Sequence, residues 1–432
     1  MSENAPASAS VDRPDADVAD DSRPSPRHAP LGFGTFVALV AALMALNALA
    51  IDIMIPGLPD IQAAFGLDDP NRAQTVITAY LIGFGVGQLA MGVLSDRFGR
   101  RPVLLWGLAV YGAAAGFCIV APSMEALLAA RFVQGLGSAA PRVVAIAAVR
   151  DCYGGRRMAR VMSLVMMVFM AVPVVAPSIG QLLLIFVDWH AVFVLLALYG
   201  AIMFHICLHR LPETLRPEWR RPIRLDVVAE SLSSILGSRQ TVGYTLSAGL
   251  FLAALFGFIN SAQQILGELL GLGPWFPAVF AMVASAIAAA SFINSKLVER
   301  LGMRVLSHGA VVIFTALGLV MAALEAMGLL GLYSFLPLLT ASMLLVGLVF
   351  ANFNALAMEP QQHVAGVASS VVGALTVLLG AGGGYLVGQA YDGTLGPLTY
   401  GFTGFGAATL ALAAIAERGR LMQPVERPRP GG

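Results

Sequence analysis

Charge is what this chain has least of. Acidic and basic residues make up 12% of its 432 positions, about half the ~25% usual in soluble globular proteins. That supply does not coat a 45.1 kDa surface in water, whereas a surface facing lipid needs none. Soluble enzymes, nucleic-acid binders and disordered scaffolds are set aside on this ground. Lysine is nearly missing, since 25 of the 26 basic residues are arginine and only Lys296 is lysine. Cys118, Cys152 and Cys207 are too few and too scattered for a disulfide framework or a metal cluster. His205 and His209, four residues apart, lack a third ligand nearby, so no metal site is expected. No Walker-type phosphate loop occurs, so ATP is not expected to drive the protein.

What the chain does have is apolar length. Hydrophobic residues reach 58% and mean hydropathy is +0.79. Apolar runs recur at 33–55, 74–95, 103–121, 125–147, 160–186, 190–210, 240–262, 275–297, 304–326, 332–354, 365–389 and 398–416. Each approaches the ~20 residues that carry a helix across the hydrocarbon. The reading is an all-α integral membrane protein of twelve transmembrane helices. The 46 glycines and 24 prolines suit helices whose neighbours re-satisfy the backbone.

An even number of spans puts both termini on one side. Of 26 basic residues, Arg72 falls in a loop of the opposite side, Arg131 and Arg142 fall within the fourth span, and the other 23 share the side of the termini. The positive-inside rule makes that side cytoplasmic. The longest polar interruption, 211–239, divides the chain six plus six. The expected organisation is a disordered tail over 1–30, an N-terminal six-helix bundle over 31–210 and a cytoplasmic linker over 211–239. A C-terminal bundle over 240–416 and a tail over 417–432 follow. Within the linker, Leu225, Val228, Leu232, Ile235 and Leu236 share a face, as in a surface helix at the interface.

The halves echo each other. Asp96-Arg97-Phe98-Gly99-Arg100-Arg101 follows the second span, and Glu299-Arg300-Leu301-Gly302-Met303-Arg304 follows the eighth, 203 residues later. Such repetition marks secondary transporters, whose substrate site lies between the repeats.

Several polar residues stand out against this background. Asp52 is the only carboxylate placed more than one residue inside a span, and an intramembrane acid is retained at a cost of about 2.5–3.5 kcal/mol. Arg131, Gln134, Ser138 and Arg142 form a stripe on one face of the fourth span. An intramembrane arginine pairs with something, and Asp52 is the candidate; Arg142 sits nearer the end and reads as reaching the cytoplasmic surface. Asn47, Tyr80, Asn260, Gln263, Gln264, Asn352 and Asn354 are candidates to line a cavity, and interhelical hydrogen bonding explains each equally well.

Gly92-Val93-Leu94-Ser95-Asp96-Arg97-Phe98-Gly99-Arg100-Arg101 resembles the G-x-L-a-D-r-x-G-r-k/r motif of the major facilitator superfamily. Asp52-Ile53-Met54-Ile55-Pro56-Gly57-Leu58-Pro59 resembles the D-x-y-x-P-x-x-P signature of its Bcr/CflA drug-resistance branch, with Met54 in place of tyrosine. Arg131-Phe132-Val133-Gln134-Gly135-Leu136-Gly137 is similar to the superfamily's fourth-helix motif, associated with proton transfer in exporters. Pro173, Pro177 and Gly180 match the antiporter motif of the fifth helix, with Ala176 and Gln181 as departures. The run from Ala357 to Ser370 is similar to a branch-specific stretch.

The resemblance implies the major facilitator fold, two pseudo-symmetric six-helix bundles around a central cavity. It implies proton-coupled efflux of small amphipathic, phenicol- or bicyclomycin-like drugs across a bacterial inner membrane, by a monomer without cofactor. Protons, drug and lipid would be its only partners. Asp52 and Arg131 are then the proton-coupling pair. Asn47, Tyr80, Gln134, Ser138, Asn260, Gln263, Gln264 and Asn354 are the cavity candidates. Gly92, Asp96, Arg97, Gly99, Arg100, Arg101, Arg150 and Asp151 form a latch that breaks as the halves rock. A same-fold carrier of a metabolite or siderophore, exporter or symporter, and a non-transporting sensor remain as alternatives.

Overall fold

The computed structural model describes residues 31–220 and 232–422, without side chains at 362–365. Twelve helices are long and apolar enough to cross a membrane. In chain order they are α1 (Phe33–Asp52), α2 (Asn71–Phe98), α3 (Arg100–Ile119), α4 (Met124–Cys152), α5 (Gly155–Phe186) and α6 (His190–Arg210). The second six are α7 (Arg239–Ala262), α8 (Phe276–Leu301), α9 (Met303–Ala326), α10 (Leu332–Met358), α11 (Ala365–Gln389) and α12 (Gly396–Ala416). No strand occurs among the described residues. Large apolar side chains such as Trp106, Phe186 and Leu386 stand exposed on the outside, the surface a hydrocarbon solvent permits.

Several helices outrun the apolar stretches that announce them. α4 continues through Arg150 and Asp151, and α5 begins at Gly155 through Arg156 and Arg157. The hydrocarbon sets only the apolar length, and a helix keeps its own hydrogen bonds beyond it. The first span is extended most. After α1, Pro56 cannot donate to the α-helical ladder, and a 3₁₀ turn over Ile55–Gly57 leads into a short helix, Leu58–Ala64. The first span therefore runs to Ala64, twelve residues past Asp52.

α1–α6 and α7–α12 form two bundles. In the first, α4 packs on α2 and α3, α3 on α6 and α1 on α5; in the second, α10 packs on α8 and α9, α9 on α12 and α7 on α11. Across the divide the main contacts join α2 to α11 and α5 to α8, a symmetric pair. The repeat is visible in the backbone. Gly99 (φ 102°, ψ 159°) and Gly302 (φ 80°, ψ 158°) each end one helix and begin the next, in a region essentially reserved for glycine. The start of α1, the end of α6, the start of α7 and the end of α12 lie at one end of the bundles, called here the terminal end; the other is the far end. Of the expected linker helix, Leu225 and Val228 lie outside the described residues, as do the tails 1–30 and 423–432. Residues 232–237 are helical, with Ile235 buried and Leu236 exposed.

Candidate functional site

Arg131 is fully buried in the N-terminal bundle. Its Nε donates to the Val76 carbonyl at 3.2 Å, Nη1 to Gln134 Oε1 at 2.7 Å, and Nη2 to the Ala50 carbonyl at 3.0 Å and Met54 Sδ at 3.1 Å. The guanidinium also lies 4.5 Å from the Tyr80 ring centre, a cation–π distance. Met54, where the branch signature has tyrosine, thus supplies a soft acceptor. Among the described residues no carboxylate is within ion-pair range of Arg131, and Asp52 is not its partner. Main-chain carbonyls of α1 and α2 do the work expected of the acid. Asp52 itself is 3% exposed, and its Oδ1 is buried without a hydrogen-bond partner. Tyr80 donates to Asn47 Oδ1 at 3.0 Å, and Ser138 to the Gly135 carbonyl at 2.7 Å. These residues form one polar core inside a single bundle.

The fifth-helix motif meets Asp52 through its neighbour. A Cβ on Gly180 would press into the Ile53 carbonyl, so only glycine lets α5 lie this close to the end of α1. Pro177 is buried, while Pro173 and Gln181 are part-exposed. α5 is also the helix that crosses to α8 of the other half, so the backbone of Ile53, next to Asp52, lies against a helix that both halves hold.

At the far end the halves are joined by amides. Asn71 Nδ2 donates to the carbonyls of Tyr391 at 2.7 Å and Gln389 at 3.3 Å, and Gln389 Nε2 returns a bond to the Asn71 carbonyl at 2.7 Å. Gln264 Nε2 donates to Asn71 Oδ1 at 3.0 Å, Gln74 donates to Gln264 Oε1, and Asn260 Nδ2 reaches Thr78 at 3.5 Å. Asn260 and Gln264 therefore belong to a seal between the halves. Gln263 starts a π-helical segment, Gln263–Leu269, beside it. Asn71, Gln74, Gln389 and Tyr391 carry no sequence signal beyond polarity at a helix end.

At the terminal end a cavity of about 270 Å³ opens between the halves. It is lined by Gln88, Gly92, Asp96, Arg100, Arg142 and Arg150 from one half and by Asn354, Met358, Ser369, Ser370 and Gly373 from the other. Of the eight cavity candidates only Asn354 lines it. The other seven are divided between the polar core and the seal and its margin, because a polar residue in a helix satisfies its bonds wherever packing offers a partner. Arg142, three turns from Arg131, faces this cavity instead of the terminal surface.

Below the cavity mouth each half holds its own charge cluster. Arg100 binds Asp96 at 2.5 Å, Asp151 at 3.0 Å and Ser95 at 2.7 Å. The Glu213 carboxylate caps α3, accepting from the backbone N–H of Arg100 at 2.9 Å and Arg101 at 3.2 Å, where a helix N-terminus favours negative charge. A side chain at Gly99 would collide with that carboxylate. Arg101 donates to the Leu208 carbonyl at 2.7 Å, while Arg97 and Arg150 are exposed. In the other half Arg304 binds Glu417 at 2.7 Å and Glu359 at 2.9 Å. Tyr244 bridges Glu417 at 2.6 Å and His308 at 3.0 Å. Every one of these pairs stays within its own half. Glu213 was not singled out by the sequence, where it stands 113 and 112 positions from the two N–H groups it caps.

The family model described as Major Facilitator Superfamily matches residues 40–385. A bicyclomycin resistance protein homolog of Haemophilus influenzae is 30% identical over 84% of this chain and 92% of its own length. The multidrug resistance protein MdtL of Escherichia coli is 30% identical over 78% and 84%. Among solved structures, the human organic anion transporter MFSD10 superposes with a TM-score of 0.64 at 18% identity, over 89% of this chain and all of that one, a likeness of fold. With twelve spanning helices in two six-helix bundles and these relatives, the chain is a multi-pass membrane transporter, not an enzyme, and belongs to the major facilitator superfamily, within its drug-resistance branch.

Proposed function

We propose that this protein exports small amphipathic drugs of the phenicol or bicyclomycin kind across a bacterial inner membrane, in exchange for protons, by alternating access. The observation that carries this reading is the asymmetry between the two ends. The halves are hydrogen-bonded to each other at the far end, while a cavity opens between them at the terminal end. The distribution of arginines favours a cytoplasmic terminal end, which on this reading makes it a state that loads from inside. The relatives named for bicyclomycin and multidrug resistance support a drug as the cargo.

Asp52 is the proposed proton site. An ionised carboxylate without a partner is costly to bury, whereas a neutral acid is not. Rocking the halves moves α5 against α8 and with it the Gly180 contact on Ile53, which opens or closes water access beside Asp52. Arg131 acts as a fixed charge that ties α1 to α2 through the Ala50 and Val76 carbonyls, rather than as an ion-pair partner. The charge clusters at the terminal end stay intact in this state, and on closure Asp96 and Arg100 are placed to meet α11, whose Ser370 already touches Gly92. The protons come from the membrane gradient, and no cofactor enters the cycle.

Everted vesicles carrying the protein, acidified inside by respiration, test this reading. Addition of a phenicol should release protons in the wild type and not in Asp52→Asn. No response to any of a panel of phenicols and other amphipathic drugs would sink drug export in favour of another cargo. A response unchanged by Asp52→Asn would leave export standing and move the proton elsewhere.

A further inference from the structure

We infer that the cavity at the terminal end recognises the acidic group of an anionic amphipathic substrate through Arg142 and Gln88; this rests on the export reading and narrows its substrate class. Arg142 stands about ten residues, or ~15 Å, from the terminal end of α4, deep enough to be surrounded by apolar helices. Among the described residues it has no hydrogen bond and no ion pair, only the Phe84 ring at 5.5 Å from its guanidinium carbon. Intramembrane arginines ordinarily find a partner, and Arg131 on the same helix face has four. Gln88, one helix away, is 6% exposed, and its amide nitrogen is buried with no acceptor. Its amide oxygen packs against Gly373 of the other half. Two unpaired donors, one of them a full positive charge, therefore line the same cavity.

The remaining charges of the lining do not answer them. Among the described residues Asp96 is the only acid of the lining, and it is engaged by Arg100, which also holds Asp151. Arg150 adds a further positive charge at the mouth, beyond Arg142 and the acid-paired Arg100. Such a cavity attracts anions and repels cations. Guanidinium is the side chain best shaped to grip a carboxylate, and an amide N–H beside it adds direction. Val143, Ile146, Met358 and Val372 supply an apolar wall for the rest of the molecule. An anion leaving an inside-negative cell also moves with the membrane potential, so net charge on the cargo helps the export stroke.

The test compares two substrates with one body. Purified full-length protein in proteoliposomes, under an imposed pH gradient, is offered chloramphenicol and its succinate monoester, which differ by a carboxylate. The wild type should carry the ester in preference by about tenfold or more, the scale of one charge-assisted hydrogen bond. Arg142→Gln should abolish the preference, and Arg142→Lys should keep most of it. Ser369→Asp, at an exposed position of the same lining, should reduce it without touching either donor, and it serves if Arg142→Gln fails to fold. Equal carriage of both compounds, unchanged in Arg142→Gln, overturns the inference and leaves export standing. If neither compound is carried, the export reading fails for phenicols, and equilibrium dialysis of the ester against the purified protein decides the site. Binding that Arg142→Gln weakens by about tenfold supports it, and binding indifferent to the substitution overturns it.

Discussion

The interface between the two halves is built from different materials at its two ends. At the far end neutral amides from α2, α7 and the end of α11 hydrogen-bond across the divide. At the terminal end the charges are kept inside each half, Arg100 with Asp96 and Asp151, Arg304 with Glu359 and Glu417, and a cavity separates the two. Neutral hydrogen bonds contribute about 0.5–1.5 kcal/mol each, enough to hold a gate and few enough to break it. Ionic clusters confined to one half stiffen that half without binding it to the other. α4 crosses both regions and shows the contrast in one helix. Arg131, near the far end, is sealed among backbone carbonyls, and Arg142, three turns on along the same face, is left open to the cavity.

The largest effect expected separates these two arginines. Arg131→Leu strips the Ala50 carbonyl and the Gln134 amide oxygen of their donor and leaves a void, so thermal unfolding in detergent should show a loss of about 3–5 kcal/mol. Arg142→Leu strands nothing and should change stability by under about 1 kcal/mol. Equal losses in the two would erase the distinction drawn here between a structural and a substrate-facing charge.

Next in size is the gate. The double variant Gln264→Ala, Gln389→Ala removes bonds that join the halves at the far end, shifting the balance of states by about 1–3 kcal/mol. Spin labels on cysteines introduced at Asp68 and Asp392, exposed loop positions of opposite halves, should then show a longer distance populated. An unchanged distance distribution would mean that apolar packing of α2 on α11 holds the far end closed by itself.

A charge cluster should behave differently. Asp151→Asn weakens the Arg100 cluster by about 1 kcal/mol and should lower stability while leaving the far-end label distance where it was. A change in that distance would show that the cluster already reaches across the divide in this state.

The smallest effect concerns acid. Burial pushes the Glu417 carboxyl up, but hydrogen bonds from Tyr244 and Arg304 outweigh it and hold the group below the usual carboxylate range. A carboxyl depressed on folding contributes stability above its unfolded value, near 4.3, and loses it as pH falls through the lower folded value. Melting curves of the wild type and Glu417→Gln should therefore differ at neutral pH and converge as pH drops below about 4. Curves that stay equally far apart at all pH values would show that the carboxylate charge is not what stabilises this corner.

Parts of this arrangement were legible before any coordinates. The twelve spans follow from apolar runs matched to bilayer thickness, and the Asp96–Arg101 and Glu299–Arg304 repeat foretold two helix junctions with the same glycine conformation. The pairing of Arg100 with Asp96, four residues apart, was also readable, whereas Asp151, 51 positions from Arg100, reads equally well as part of a plain cytoplasmic anchor. The Asp52–Arg131 pairing was not readable, because a buried guanidinium accepts backbone carbonyls as readily as a carboxylate, and which it meets depends on helix rotation by a fraction of a turn. The eight cavity candidates were not divided among core, seal and cavity for the same reason: asparagine and glutamine bond to whatever lies opposite.

By itself the sequence determined what a local rule can decide. Hydrocarbon thickness fixes helix length, glycine fixes the backbone at 99 and 302, and the placement of arginine sets the expected orientation. Only the tertiary structure decided which polar groups found partners. It filled the donors of Arg131, tied Gln264 and Asn71 into a seal and left Arg142 and Gln88 unanswered. The physical reason is that hydrogen bonds are short and directional, so their pairing is settled by how two bundles dock, a relation between residues up to 320 positions apart that no local pattern encodes.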